Sequence, residues 1–320
     1  MAEVNGILYI STGNTIAQVD NATYTAAKLT LPYGYFANSL AKSGTDLVIG
    51  GVYSSQAKVA EVFVWNTYSK SFSFSDPIQD HDITAMIEFD NTVLMFAGKS
   101  GRVYYLNGTK AELYMTLPYR TQPYPNFVIY PDAVCVYRDR LFVGVSDHSG
   151  AGVAGVYVIG QSAAGYPKVI AHQFPLNTAS TISKIYSIKT SDVGNQFNLF
   201  AAYYDPLSTT YRCDKTDQSN RYTSSYITTK LIFPDYYNLS RLRYGWADYE
   251  GTMPANTSLD MLVKVNHGTT HTINGVIDTM RARVDFDLGS IEAKVARVAL
   301  QFNSSANTYP AVHQFGIKLD

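Results

Sequence analysis

Four short stretches of this chain bring reactive side chains close together in sequence. In HGTTH, His267 and His271 stand at i and i+4, the spacing at which two imidazoles on a helix chelate one metal ion. The flanks read as strand, Gly268 as a turn, and no third or fourth ligand is nominated, so the pair reads as turn histidines. DPIQDHD gathers Asp76, Asp80, His81 and Asp82, and DKTDQSN from 214 gathers further carboxylates. Such loops can bind calcium, but neither has the D-x-[DN]-x-[DN]-G order of a calcium loop, and both suit solvated connectors. In GVSDHSG, Ser146, Asp147 and His148 are adjacent. A nucleophilic triad needs the three groups to converge, whereas neighbours on a strand point alternately to opposite faces. The G-x-S-x-G elbow is also missing. The expectation is therefore no catalytic residue, no metal ligand and no cofactor.

Three aromatic segments outside the regular strands are more informative: LPYGYF, LPYRTQPYPNFVIYP and FPDYYNLS. They set Tyr33, Tyr35, Tyr119, Tyr124, Tyr236 and Tyr237 beside Pro and Gly. Tyr offers a large contact area, few rotors and a polar tip, which suits protein interfaces and sugar stacking alike. The plainer alternative is that these rings cover sheet edges and a domain junction. The long loop 117–131 is of the kind that commonly carries function. The six tyrosines are the candidate interface or ligand contacts.

The elements that must position these segments are strands. Charged residues make up 16% of the chain and Tyr numbers 26, the makeup of an all-β protein with a weakly charged surface. Net charge is -1 with no Lys/Arg-rich run, which argues against binding a nucleic-acid backbone. No apolar run reaches the length of a membrane-spanning helix, and MAEVNGILYISTGN lacks the basic and apolar regions of a signal peptide. Cys135, inside AVCVY, reads as a buried thiol, and a disulfide to Cys213 is the lesser reading.

One strand type recurs: LYISTG from 8, LVIGGV from 47, LMFAGK from 94, LFVGVS from 141 and LFAAYY from 199. A second strand follows each, at TIAQVD, VFVWN, VYYLN, VYVIG and TYRCD. Pro32, Pro77, Pro118 and Pro175 mark where a fourth strand leaves. Four short strands per unit predict a β-propeller of about five blades over residues 1–223. The first blade lacks its opening strand in this reading, and residues 219–228 are the candidate to supply it. A sandwich with long hairpins is the alternative.

After residue 224 the spacing changes. LDMLVKVN and RARVDFDLG alternate apolar and polar residues, and Leu242, Tyr244 and Trp246 of SRLRYGWADY fall on one face by simple alternation. IEAKVARVALQF switches face near Ala296, which predicts a bulge or a strand that changes sheets. An antiparallel β-sandwich is expected over residues 224–320.

The run SSYITTKLIFPDYYNLSRLRYGWADYE, following a propeller-like half, and the ending VARVALQFNSSANTYPAVHQFGIKLD resemble virion-associated proteins of tailed bacteriophages. That resemblance implies a structural or attachment component of a phage particle, at the tail or tail tip. The leading expectation is thus a non-enzymatic virion structural protein, assembled in the host cytoplasm and mediating assembly or host attachment. Its partners would be other virion proteins in a symmetric multi-copy assembly, and a host-surface glycan or receptor, with no nucleic acid and no membrane insertion. The alternative is a carbohydrate-binding, lectin-like module recognising cell-surface glycans. A glycan-cleaving propeller enzyme dependent on Asp80 or Asp147 is the third reading, and the repeated S-x-D-x-G-x-[TW] turns of such enzymes are absent.

Overall fold

Short apolar runs punctuated by Gly, Asn and Asp fold here as antiparallel strands. The computed structural model describes residues 1–53, 59–117, 126–150, 154–160, 169–178, 180–193, 196–216, 224–228, 240–266, 268–304 and 311–319, among which no α-helix occurs. The chain is all-β and divides into two compact units, Met1–Thr216 and Asp217–Asp320.

Among the described residues the first unit is a succession of five sheets, four of them simple meanders. The first holds β1 (Ala2–Val4), β2 (Ile7–Thr12), β3 (Thr15–Asp20) and β4 (Thr23–Thr30) in sequence order. The second holds β5 (Tyr35–Ser43), β6 (Asp46–Tyr53), β7 (Ala60–Trp65) and β8 (Phe74–Ile78). The third holds β9 (Ile83–Phe89), β10 (Thr92–Ala97), β11 (Arg102–Asn107) and β12 (Lys110–Thr116). In the fourth, β13 (Phe127–Val128) and β14 (Val134–Tyr137) share β15 (Arg140–Asp147), followed by β16 (Gly155–Gly160) and β17 (Val169–Phe174). The fifth holds β18 (Lys184–Val193), β19 (Gln196–Asp205) and β20 (Thr210–Lys215). The hairpin turns are chemically specified. Asn5–Gly6 (φ 54° and 79°) and Asp90–Asn91 (φ 55° and 60°) place both central residues at positive φ, the two-residue geometry that matches strand twist.

Each sheet packs on the next. Tyr9 and Ile16 of the first meet Leu47, Ile49, Phe63 and Trp65 of the second, with Tyr9 edge-on to Trp65 at 5.5 Å. Val48, Val62 and Val64, on the other face of the second sheet, meet Val93 and Met95 of the third. The same relay joins the third to the fourth and the fourth to the fifth. Strands such as β6 are therefore buried on both faces, which is why they read as unbroken apolar runs. Each large side chain so buried contributes about 1.5–3 kcal/mol.

The second unit has β21 (Ser224–Thr228), β22 (Ser240–Glu250), β23 (Thr257–Val265), β24 (Thr270–Asn274), β25 (Val276–Asp278), β26 (Arg283–Ala293), β27 (Ala296–Ser304) and β28 (Ala311–Leu319). They form two four-stranded sheets, β21-β27-β23-β24 and β25-β26-β22-β28. Leu259, Met261, Val263 and Leu300 of one share a single core with Leu242, Ala247, Val284 and Phe286 of the other. IEAKVARVALQF changes sheets between Ala293 and Ala296, as its switch of face predicts. Asn266 holds the crossing, its Oδ1 accepting the N–H groups of Lys294 at 3.0 Å and Val295 at 3.3 Å.

Three expectations are corrected. The first sheet does have an opening strand, since β1 pairs β2 with Ala2 opposite Tyr9. Residues 224–228 do not complete that sheet, because they pair with β27, Ser224 opposite Asn303. A register shift between Leu242 and Tyr244 leaves Leu242 fully buried while Tyr244 and Trp246 are only half-buried. These two aromatics therefore do not share the face of Leu242, contrary to simple alternation.

Candidate functional site

In the first unit, the acidic clusters that stand out in sequence are used to hold sheets together. The Asp80 side chain is 8% exposed and pairs with Arg102 at 3.4 Å, and it accepts the Tyr104 hydroxyl at 2.8 Å. Gly98 makes room for it: at φ +65°, a Cβ there would fall 2.0 Å from Asp80 Oδ1. Asp76 accepts the Ala111 N–H at 2.8 Å, tying β8 to β12. Asp214 accepts the Asn177 N–H at 2.7 Å. His81 is exposed beside this framework.

Ser146, Asp147 and His148 form no triad. The Ser146 hydroxyl accepts the Ile185 N–H at 2.8 Å. Asp147 Oδ1 accepts the N–H and hydroxyl of Ser149 at 2.9 and 2.5 Å. The His148 N–H donates to the Asn126 carbonyl at 3.0 Å, and desolvation, aided by Lys184, lowers the imidazole pKa. The Ser146 hydroxyl and Asp147 Oδ1 are thus committed to separate backbone and turn contacts.

Of the six nominated tyrosines, two lie among the described residues. Tyr33 is 96% exposed in a turn. Tyr35 packs against Tyr53 and Phe63 at 5.2 and 5.3 Å. Burial, with Glu61 as its acceptor, pushes the Tyr35 phenol up to about 12. Tyr119, Tyr124, Tyr236 and Tyr237 lie outside the described residues, as does His267. Among the described residues no three His, Cys, Asp or Glu side chains are gathered as a metal ion would need.

A different site emerges on the outer face of the sheet β25-β26-β22-β28. Tyr244 and Trp246 stand two apart on β22, their ring centroids 6.2 Å apart and their planes within 19° of parallel. They line a shallow, open depression together with Arg283, Gln314, Ile317 and Lys318. Trp246 lies opposite Gly316 of β28, where a Cβ would fall 2.7 Å from the indole Cζ2. The missing side chain lets the indole lean across the neighbouring strand.

Polar groups fix the rings from the side. Asp248 takes two hydrogen bonds from Arg283, at 2.6 Å from Nε and 3.2 Å from the terminal nitrogen, and a third at 2.7 Å from the Gln314 amide. That fork, bidentate and charge-assisted, raises the Arg283 pKa further and holds its guanidinium 5.8 Å from the Trp246 ring centroid. The Tyr244 hydroxyl donates to Asp285, and burial followed by this bond raises the phenol pKa. The result is an open aromatic plate rimmed by oriented donors and acceptors. Simple alternation puts Tyr244 and Trp246 on one face with Leu242, whereas the register shift parts them from it. The available signal was the lone Gly316 in AVHQFGIKLD, facing the one Trp of this unit.

No protein-family model matches the chain, and no curated protein does either. Solved structures do. An exo-beta-1,3-galactanase from Phanerochaete chrysosporium matches at TM-score 0.36 and 10% identity, over 99% of this chain and 96% of that one. A GH32 beta-fructofuranosidase from Bombyx mori matches at TM-score 0.36 and 9% identity, over 99% and 89%. A protein of unknown function from Bacteroides caccae matches at TM-score 0.39 and 7% identity, over 64% and 70%. The expectation of a non-enzymatic virion structural protein is corrected by these matches, which include glycoside hydrolases. Neither the virion role nor the absence of enzyme activity is carried forward. At such TM-scores the likeness assigns this chain no reaction, substrate or catalytic residue.

Proposed function

We propose that this chain is a carbohydrate-active protein that holds saccharide on the Tyr244–Trp246 shelf. In the same reading the five relayed sheets are blades of a β-propeller over residues 1–223, and residues 224–320 form a β-sandwich. The propeller reading is supported by the relay of cores from sheet to sheet. The sandwich reading is supported by two sheets sharing one core.

The observation that carries the function is the pair of near-parallel rings at 6.2 Å, rimmed by the Arg283–Asp248–Gln314 network. Pyranose rings present a face of C–H groups to an aromatic plate and a perimeter of hydroxyls to polar neighbours. The aromatic quadrupole favours the first contact, and a few fixed donors and acceptors supply the second. Affinity electrophoresis of the chain through gels holding different polysaccharides is the test. Retardation by at least one glycan, abolished in Trp246→Ala, is expected. Equal mobility of wild type and Trp246→Ala in every gel overturns the proposal. Release of reducing ends from the retained glycan, measured on the same samples, reports hydrolysis.

A further inference from the structure

We infer that the shelf receives the interior of a linear, uncharged glycan running along β22, rather than a chain end or an acidic sugar. This rests on the carbohydrate reading above and deepens it.

Three observations carry it. The two rings are successive outward residues of a single strand, their centroids 6.2 Å apart, so they offer adjacent seats along β22 to consecutive sugar residues. Across the strands, the rows that bound the plate are Asp287–Tyr244–Lys318 at one end and Arg283–Asp248–Gln314 at the other. Among the described residues neither row holds a further ring or a bulky apolar wall, and the depression they line is open, so these residues set no barrier across either end of a bound polymer.

The third observation is charge. In these rows and the one between them, two cations, Arg283 and Lys318, stand against three carboxylates, Asp248, Asp285 and Asp287. Arg283 is closed by its bidentate bonds to Asp248, which leaves Lys318 facing a surplus of negative charge. An anionic sugar would have to displace one of these pairings or sit beside unmatched carboxylates, and like charges brought together at an interface are disfavoured.

Isothermal titration of the full chain with cellohexaose, xylohexaose and mannohexaose, their mono- and disaccharides, and polygalacturonate tests the inference. At least one neutral hexasaccharide is expected to bind about tenfold or more tightly than its monosaccharide. Reducing its terminal sugar with borohydride should leave that affinity unchanged, and Trp246→Phe should keep more of it than Trp246→Ala. Equal affinity for mono- and hexasaccharide, loss of binding on end reduction, or preference for polygalacturonate overturns the inference and leaves the carbohydrate reading standing. Absence of binding to every saccharide, with circular dichroism showing a folded chain, overturns both.

Discussion

The indole of Trp246 rests against Gly316, so close that a Cβ there would lie 2.7 Å from Cζ2. Gly316→Ala should push the ring off its seat without disturbing the core beneath. Its backbone needs no left-handed conformation, so alanine is tolerated by the strand itself. Saccharide binding is expected to weaken about tenfold, a change of roughly 1.4 kcal/mol, while the thermal midpoint stays within a few degrees of wild type. Titration and a melt on the same sample check this. A variant that binds as wild type would show that the position of the indole is immaterial.

Asp80 is expected to matter for stability. Asp80→Ala leaves the Tyr104 hydroxyl, on a residue only 7% exposed, without its acceptor, at a cost of about 1–3 kcal/mol. Adding Tyr104→Phe should recover part of that loss, because the orphaned hydroxyl is then gone. Urea unfolding of the two single variants and the double variant measures the coupling, which should be clearly non-additive.

Tyr35 makes the chain sensitive to base. Its folded pKa of about 12 lies above the value of about 10 for an unfolded tyrosine. The neutral phenol is thus favoured by the fold. Its contribution is complete below the unfolded pKa and is lost as pH rises through the folded one. The stability advantage of wild type over Tyr35→Phe should therefore shrink between pH about 10 and 12, measured by denaturant melts at stepped pH across that window.

The two cysteines are free and should differ in reactivity. Burial pushes the Cys135 thiol up to about 11, whereas Cys213 is exposed on β20. The thiolate is the reactive form. At pH near 8, dithionitrobenzoate should titrate one thiol quickly and the other only slowly or after denaturation. Cys213→Ser should remove the fast phase.

Much of the first unit was legible because β6, β10 and β15 are buried on both sides. The apolar runs at 8, 47, 94, 141 and 199 coincide with β2, β6, β10, β15 and β19. β5 escaped notice for the opposite reason. Its sequence YFANSLAKS mixes polar residues into an edge strand, and Ser39 is accommodated there by donating to the Ile83 carbonyl at 3.2 Å. β1 is three residues long, too short for any period to show. The shelf was hidden by backbone geometry. A register shift at Leu242 reverses which side chains face out, and nothing in the alternation of side-chain types records such a shift. Asp80 and Asp147 stood out as reactive residues, yet their surroundings made them fasteners.

The pairing of Ser224 with Asn303 and of Thr228 with Ala299 sets a timetable for synthesis. In the first unit, partners are consecutive or nearly so along the chain, and each sheet has its strands soon after they are made. In the second unit β21 waits for β27, and β22 waits for β28. Closing such distant pairs carries a larger entropic barrier than closing a hairpin. The first unit can thus condense sheet by sheet while the chain is still growing. The second cannot complete its two sheets until β27 and β28 have been made, and a chain stopped before β27 would leave β21 and β23 with exposed edges prone to mispairing.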